Sequence, residues 1–253
     1  MKVTWIGQSG YIFESNGYRL VIDPYLSDVV ERRQGLTRLS PAPLTPEALR
    51  PDAVFITHNH LDHFDPETVP AIHWAFTDCQ LAGPQSVMYQ ARTLGIREEV
   101  LVPMPLGSGK VLGPFTLTTT FAYHSDPFAV GLLLGVADEL VYISGDTEWW
   151  PELAGAVQRL AGRTINAVFI VINGRLGNMT TPEAVNVVRE IRPRVAFPMH
   201  YGTFAENTAD PLPFLEGCRK LGIHAAELLL GWEMPWPALT TRLSSLPLPT
   251  AAP

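Results

Sequence analysis

The sequence predicts an α/β fold built on a mixed β-sheet with helices packed outside it. Three observations lead to this prediction. β-rich segments cluster early in the chain, and strand-like and helix-like segments alternate later. Clustered strands favour antiparallel pairs, whereas a strand–helix–strand order favours parallel pairs. The composition, 46% hydrophobic and 17% charged, supplies enough apolar material for a substantial core and disfavours a disordered chain.

The first elements are strands, followed by a long connection. Residues 11–15 and 18–22 are β-rich, and Asn16-Gly17 between them is typical of a type I′ hairpin turn. Residues 25–50 contain proline and arginine without clear periodicity, which predicts a loop that could cover a site. Residues 53–56 form a continuous apolar run, typical of a strand buried on both faces.

The remaining segments alternate in type. The pattern predicts helices at 66–75, 85–94, 151–160, 182–191 and 212–221, and strands at 100–102, 115–123, 130–136, 140–143, 167–172, 195–197 and 227–230. We therefore expect one domain over residues 1–234. Residues 235–253 are rich in Pro, Ser, Thr and Ala and predict a loosely held tail.

Charge and cysteine content narrow the function class. The net charge is −7, and no basic stripe is visible, so a nucleic-acid partner is disfavoured. Cys79 and Cys218 form no CxxC pattern and are expected to be reduced thiols, which favours a cytoplasmic protein over one with a long-range disulfide. The first ten residues lack the apolar core of a signal peptide, and no run of about 18 apolar residues predicts a membrane segment.

A histidine-rich stretch, FITHNHLDHF, begins at the end of the predicted strand at 53–56. It contains His58, His60 and His63, three of only seven histidines in the chain, together with Asp62. The His-x-His spacing directs two imidazoles to the same side of an extended segment. Imidazole combined with carboxylate suits zinc, manganese or iron. A histidine-rich surface turn is the alternative, but four ligand-type residues at a strand end favour a metal site.

Three other predicted strands each end in one ligand-type residue. These are His124, Asp146 and His200. A catalytic metal needs at least three protein ligands and an open position, and two metals need more. His73, inside a predicted helix, and His224, between a helix and a strand, are predicted not to be ligands.

The order HxHxDH, His, Gly-Asp, His resembles the metallo-β-lactamase superfamily over residues 2–231. Within that superfamily the chain is similar to the L-ascorbate-6-phosphate lactonase-like hydrolases, through segments 22–24, 142–147, 172–180 and 198–201. The resemblance implies a four-layer αβ/βα sandwich, with two mixed sheets flanked by helices and metals in a cleft at one edge.

The resemblance also implies roles for the seven residues. One metal would be held by His58, His60 and His124, and the second by Asp62, His63 and His200. Asp146 would bridge the two. The expected cofactors are two divalent transition-metal ions, zinc or manganese, with iron as a further option.

Metal chemistry of this kind predicts a hydrolase. Two cations about 3.5–4 Å apart lower the pKa of a shared water, and the resulting hydroxide attacks a carbonyl or phosphoryl centre. Asp62 and Asp146 are the predicted catalytic carboxylates, Asp62 because it could orient the hydroxide or accept its proton. Asp23 is predicted to accept a hydrogen bond from a ligating imidazole, with a turn aspartate before proline as the equal alternative.

The substrate is the least determined part. Asn173, Arg175 and Asn178 follow a predicted strand and are candidate substrate-binding residues; Arg175 could clamp a phosphate or carboxylate, or could pair with a surface acid. We expect a lactonase acting on a small anionic sugar lactone. A phosphodiesterase, a non-catalytic metal-binding protein and a di-iron oxidoreductase are the alternatives, and a homo-oligomer is an open expectation.

Overall fold

The computed structural model describes residues 1–240 and contains two seven-stranded mixed sheets packed face to face. The strands, in chain order, are β1 Lys2–Gly7, β2 Gly10–Ser15, β3 Tyr18–Ile22, β4 Ala53–Phe55, β5 Gln80–Gly83, β6 Leu101–Pro103, β7 Gly109–Leu112, β8 Phe115–Phe121, β9 Val130–Val136, β10 Glu139–Ile143, β11 Ala167–Val171, β12 Val195–Met199, β13 His224–Ala225 and β14 Glu233–Pro235. The predicted α/β sandwich with two mixed sheets is confirmed.

The two sheets have the same design. In the first, the order is β14-β1-β2-β3-β4-β5-β6, antiparallel up to β3 and parallel from β3 to β6. In the second, the order is β13-β12-β11-β10-β9-β8-β7, parallel up to β10 and antiparallel beyond it. Each parallel half places several strand ends at one edge, where ligands gather in α/β proteins.

Helices connect the parallel strands, and one further helix follows the last strand. Their bounds are α1 Val29–Gln34, α2 Pro46–Leu49, α3 Thr68–Ala75, α4 Gln85–Thr93, α5 Leu153–Ala161, α6 Thr181–Ile191, α7 Leu212–Lys220 and α8 Trp236–Thr240. The start of α6 shows the local reason for one of them. Thr180 and Glu183 form a reciprocal capping box, and Pro182 occupies the first turn, where its missing N–H costs nothing.

Successive side chains of a buried strand pack into two different apolar clusters, one on each face of the sheet. In β4 and the residue after it, Ala53 and Phe55 face the space between the sheets, whereas Val54 and Ile56 pack with the apolar residues of α3 and α4. Successive side chains of a strand point to opposite faces, so a strand covered on both faces must be apolar throughout. This is why the run at 53–56 could be recognised from sequence.

Two predicted segments differ from the structure. The loop at 25–50 contains α1 and α2, and Val29 and Val30 are buried against Tyr25 and Phe204. These helices have six and four residues, too short to show a helical period in the sequence. The strand predicted at 227–230 is also wrong, because the edge strand β13 lies earlier, at His224–Ala225, directly after the turn that follows α7.

The predicted tail from residue 235 begins within the fold. Pro235 belongs to β14 and pairs with Lys2, and the Trp236 side chain is buried in the main core beside Phe197. Leu239 is buried there as well. The remaining tail, residues 241–253, lies outside the described residues. Over residues 1–240, no helix combines the length and the apolar character needed to cross a membrane.

Aromatic packing between the sheets gives a stability test. Phe169 is fully buried, and its ring centroid lies 4.8 Å from that of Tyr11 and 4.6 Å from that of Phe197. Phe169→Ala should lower the free energy of unfolding by about 3–5 kcal/mol, because it removes a buried ring and leaves a cavity. The same change at Phe121, which is 45% exposed, should cost far less. Urea denaturation measures both, and equal losses would contradict this account of the core.

Candidate metal centre

The structure brings the seven predicted ligand residues to one edge of the sandwich. They form three overlapping groups, and within each group the potential ligand atoms lie within 4.8 Å of one another. The groups are His58, His60 and His124; His58, His63 and Asp146; and Asp62, His63 and His200. The contributing segments follow β4, β8, β10 and β12. Both sheets therefore supply ligand-type side chains to the same cleft.

The first group is a triangle of imidazole nitrogens. His60 Nδ1 lies 3.1 Å from His58 Nε2 and 3.1 Å from His124 Nε2. The other nitrogen of the third ring, His124 Nδ1, lies 2.9 Å from the Gly177 carbonyl oxygen. A carbonyl only accepts, so Nδ1 carries the proton and His124 Nε2 directs a lone pair into the triangle. Such a convergence of lone pairs suits a cation.

The second part of the cluster surrounds Asp146. Its Oδ1 lies 3.3 Å from His63 Nε2, and its Oδ2 lies 3.0 Å from His200 Nε2. Asp62 Oδ2 lies 3.3 Å from His200 Nε2 on the other side. Asp146 is thus central: one oxygen faces the segment after β4, and the other faces the segment after β12.

Asp23 orients two of the histidines. Its Oδ2 accepts hydrogen bonds from His63 Nδ1 at 2.7 Å and from the Thr57 hydroxyl at 2.7 Å. Because that hydroxyl donates to Asp23, it can accept from His58 Nδ1, which lies 3.0 Å away. In the neutral form of each ring, Nε2 is then the unprotonated nitrogen and is directed into the cluster. The structure places Asp23 in the imidazole contact that the sequence predicts for it.

Burial and charge divide the imidazoles into two classes. Burial lowers the pKa of His58 well below its usual value and also lowers the pKa of His60, so both are neutral at neutral pH. Burial acts in the same direction on His63 and His200, but the neighbouring carboxylates, above all Asp146, outweigh it. The pKa of His63 is therefore raised, and that of His200 is raised to about 9.

Two orphaned atoms test whether the residues fit a metal. His63 Nε2 and Asp146 Oδ1 are buried, and neither makes a hydrogen bond within residues 1–240. Burying a polar atom without a partner costs roughly 1–3 kcal/mol, so such atoms need an explanation. A cation between them would satisfy both. The donor set of imidazole nitrogens and carboxylate oxygens fits zinc, manganese or iron.

The loop between β11 and α6 holds the predicted substrate residues in different environments. Asn178 is buried and donates from Nδ2 to Asp146 Oδ2 at 2.8 Å. Asn173 is buried and donates to Asn207 Oδ1 at 2.7 Å. Arg175 is exposed and lines an open cavity of about 580 Å³ with Thr181. Of the three, Arg175 is the one whose side chain is available to a substrate.

Several residues that support the cluster were not predicted from the sequence. Gln8 donates from Nε2 to Asp62 Oδ2 at 2.8 Å, and nothing in the sequence around it indicated this role. Asp65 accepts from Ser27 N at 2.9 Å and thereby ties the segment before α1 to the histidine-rich loop. Gly177 has φ +84°, and a Cβ there would lie 3.1 Å from His124 Nδ1. In the sequence, Gly174 and Gly177 were the signal that the backbone of this loop approaches another group closely.

The two histidines predicted not to be ligands lie elsewhere. His73 is in α3, where its Nε2 accepts from Arg97 N at 3.4 Å, and His224 is in the edge strand β13. Neither belongs to a potential metal-binding group within the described part of the chain.

Comparisons with known proteins identify the family of the chain. A family model described as the β-lactamase superfamily domain matches residues 18–201. A UPF0173 protein of Pyrococcus furiosus is 29% identical over 221 residues, covering 87% of this chain and 91% of that protein. A UPF0173 metal-dependent hydrolase of Methanosarcina mazei is 28% identical over 225 residues, covering 85% of this chain and 89% of that protein.

A solved structure shares the fold. Igni18, a metallo hydrolase from Ignicoccus hospitalis, superimposes with a TM-score of 0.72 at 22% identity, covering 92% of this chain and 97% of that chain. The family model spans well over half of the sequence and includes the histidine-rich loop, His124, Asp146 and His200. The chain therefore belongs to the β-lactamase superfamily domain family, in agreement with the metallo-β-lactamase resemblance of its motif.

Proposed function

We propose that this protein is a metal-dependent hydrolase whose substrate is a small anionic lactone. The metal dependence rests on the convergence of seven ligand-type residues, among which His63 Nε2 and Asp146 Oδ1 are buried 3.3 Å apart without a hydrogen bond to any described residue. The similarity to a UPF0173 metal-dependent hydrolase supports the reaction class.

The seven residues divide between two cations. His58, His60 and His124 would hold one, Asp62, His63 and His200 would hold the other, and Asp146 would contact both. Zinc or manganese suits this mixture of nitrogen and oxygen donors, and iron also fits. When bound, such a pair lowers the pKa of a water molecule and stabilises negative charge that develops on a substrate oxygen.

The protein's own groups prepare the site for that chemistry. Asp23 and the Gly177 carbonyl fix the protonated nitrogens of His63 and His124, so the opposite nitrogens are free to ligate. The pKa of Asp62 is lowered, because His63 and His200 outweigh the opposing effect of burial. Its ionised carboxylate, with a side chain 17% exposed, can accept a hydrogen bond from a water molecule and orient it.

Arg175 supports an anionic substrate. Its guanidinium is exposed on the loop that also carries Gly177 and Asn178, both in contact with the cluster. A guanidinium can bind a carboxylate or phosphate with two parallel hydrogen bonds, which holds one end of a small molecule while the other end reacts. A lactone that carries a carboxylate or phosphate group would offer one group to Arg175 and an ester bond to the metal centre.

We also propose a cytoplasmic location. Cys79 and Cys218 are free and buried, and burial raises the pKa of each thiol to about 12. Two protonated, inaccessible thiols are compatible with a reducing compartment.

A substrate panel tests the reaction. Zinc- and manganese-loaded protein is assayed with lactones that differ only in the presence of a phosphate or carboxylate group, and with bis-p-nitrophenyl phosphate. The proposal expects hydrolysis of the anionic lactones, with at least tenfold higher kcat/KM than for the neutral ones. Activity confined to the phosphodiester would replace the lactonase by a phosphodiesterase.

Metal content tests the ligand set. The purified protein should bind about two equivalents of divalent transition metal, and His124→Ala should reduce this to about one, because it removes one corner of the imidazole triangle. His73→Ala is the matched control and should leave two equivalents. Elemental analysis after dialysis measures both. Less than half an equivalent in the unaltered protein would remove the basis of the proposal.

Replacement of Asp23 tests the orientation of the imidazoles. Asp23 has φ +42°, a left-handed conformation that asparagine tolerates well, so Asp23→Asn should fold. The variant exchanges one of two acceptor oxygens for a donor, although the groups that face them, the backbone N–H and hydroxyl of Thr57 and the Nδ1 of His63, all donate. Metal affinity should fall about 10- to 100-fold. Competition with a chromophoric chelator measures this, and an unchanged affinity would exclude the role.

Arg175→Ala tests substrate recognition. The change should raise KM for an anionic lactone about tenfold or more and should leave KM for its neutral analogue within about twofold, because only the anionic substrate loses a charge-assisted contact. Arg189→Ala, at an exposed position near the end of α6, is the control. An equal rise of KM for both substrates would show that Arg175 does not distinguish the anionic lactone from the neutral one.

A further inference from the structure

Gln8 occupies an irregular position beside the metal centre. It lies between β1 and β2, directly after a register shift in their pairing between Trp5 and Gly7, and its backbone has φ +49°. The residue is fully buried. A non-glycine residue in the left-handed region persists only where its surroundings hold it, and such strain concentrates at functional sites.

The backbone of Gln8 is held from both sides. Its N–H donates to Thr203 Oγ1 at 2.9 Å, and its carbonyl accepts from Trp5 Nε1 at 3.1 Å and from the backbone N–H of His200 at 3.3 Å. His200 itself has φ +63°. Two strained residues on different sheets therefore fix each other's position.

The side chain reaches the second group of predicted ligands. Gln8 Nε2 donates to Asp62 Oδ2 at 2.8 Å and lies 3.1 Å from His200 Nε2. A carboxylate only accepts, so the amide nitrogen, rather than the amide oxygen, must face Asp62. Gln8 thus contacts two of the three residues in the Asp62, His63 and His200 group.

An amide suits this position better than a charged donor. It neutralises no carboxylate charge, so the full negative charge of Asp62 stays available to a cation, whereas a lysine or arginine would compete with it. Asn178 makes the equivalent contact with the other carboxylate, Asp146 Oδ2, at 2.8 Å. The two carboxylates of the cluster therefore each receive one neutral amide donor.

We propose that Gln8 is a positioning residue for one cation of the pair, the one assigned to Asp62, His63 and His200. The inference rests on the proposed two-metal function and deepens it. Gln8 makes no hydrogen bond to His58, His60 or His124 in the structure, so its effect should be confined to one of two binding steps. A general structural role would not discriminate between the steps.

Two variants test the proposal in the full-length protein. Gln8→Met keeps the length of the side chain and removes the amide, while Gln8→Gly removes the side chain and relieves the positive φ. Asn16→Gly is the matched control. Asn16 also has a left-handed backbone, with φ +51°, but its side chain is exposed in the hairpin turn.

Stepwise titration of metal-free protein with cobalt(II), followed by absorption and calorimetry, is the readout. The unaltered protein and Asn16→Gly should bind two equivalents. Both Gln8 variants should retain one step within about twofold of the control and weaken the other by about 10- to 100-fold. Thermal denaturation of the metal-free proteins shows whether Gln8→Gly folds as well as the control.

The outcomes separate this inference from the proposed function. If the unaltered protein does not bind two equivalents, the two-metal function fails and this inference fails with it. If it does, but both Gln8 variants bind like the control, only the role of Gln8 is excluded. Equal weakening of both steps would also exclude it, because that result indicates a general loosening of the site.

Discussion

The site depends on one electrostatic constraint: Asp62 and Asp146 lie beside the same imidazole, His200, and cannot remain ionised in a buried cleft without positive charge between them. Without a cation, the protons on His63 and His200 supply that charge, which is why the pKa of both imidazoles is raised. In our proposal a divalent cation would supply this charge without protonating either ring, so metal binding would displace these protons.

The rest of the fold keeps the carboxylates of Asp62 and Asp146 close together despite their mutual repulsion. Asp23, Gln8 and His200 all have positive φ values, and each is fixed by hydrogen bonds from a neighbouring segment. Backbone strain of this kind costs about 1–3 kcal/mol per residue and is offset by the packed core of the two sheets. The strained residues lie on both sheets, so the cleft forms only when the sheets are packed together.

One neighbouring loop also helps to orient the side chains of the cluster. The loop between β11 and α6 supplies the Gly177 carbonyl to His124 and the Asn178 amide to Asp146, while Arg175 stays exposed on it. One segment thus contacts the cluster through Gly177 and Asn178 and also carries an exposed guanidinium at Arg175. Metal binding and substrate recognition are coupled through this loop in our proposal, because a shift of its backbone would disturb His124 and move Arg175 together.

Sequence alone determined the elements that depend on local pattern. The hairpin at Asn16-Gly17, the buried run at 53–56 and the HxHxDH motif follow from turn chemistry, alternation and spacing, all of which act over a few residues. It also placed His124, Asp146 and His200 at strand ends. The short helices α1 and α2 were missed because their stability comes from packing rather than from a pattern of their own. The strands β1, β5, β7, β13 and β14 were missed as well.

Only the tertiary structure decided which polar groups meet. Gln8 and Asp62 are 54 positions apart, and Asp23 and His63 are 40 apart, so no local signal links them. The same holds for Asn178, whose sequence context suggested a substrate contact but whose amide donates to Asp146. A hydrogen bond depends on distances of a few tenths of an ångström, and these are set by the packing of the two sheets. The sequence identified the histidines and aspartates that form the cluster, and the sheet packing determined the groups that orient them.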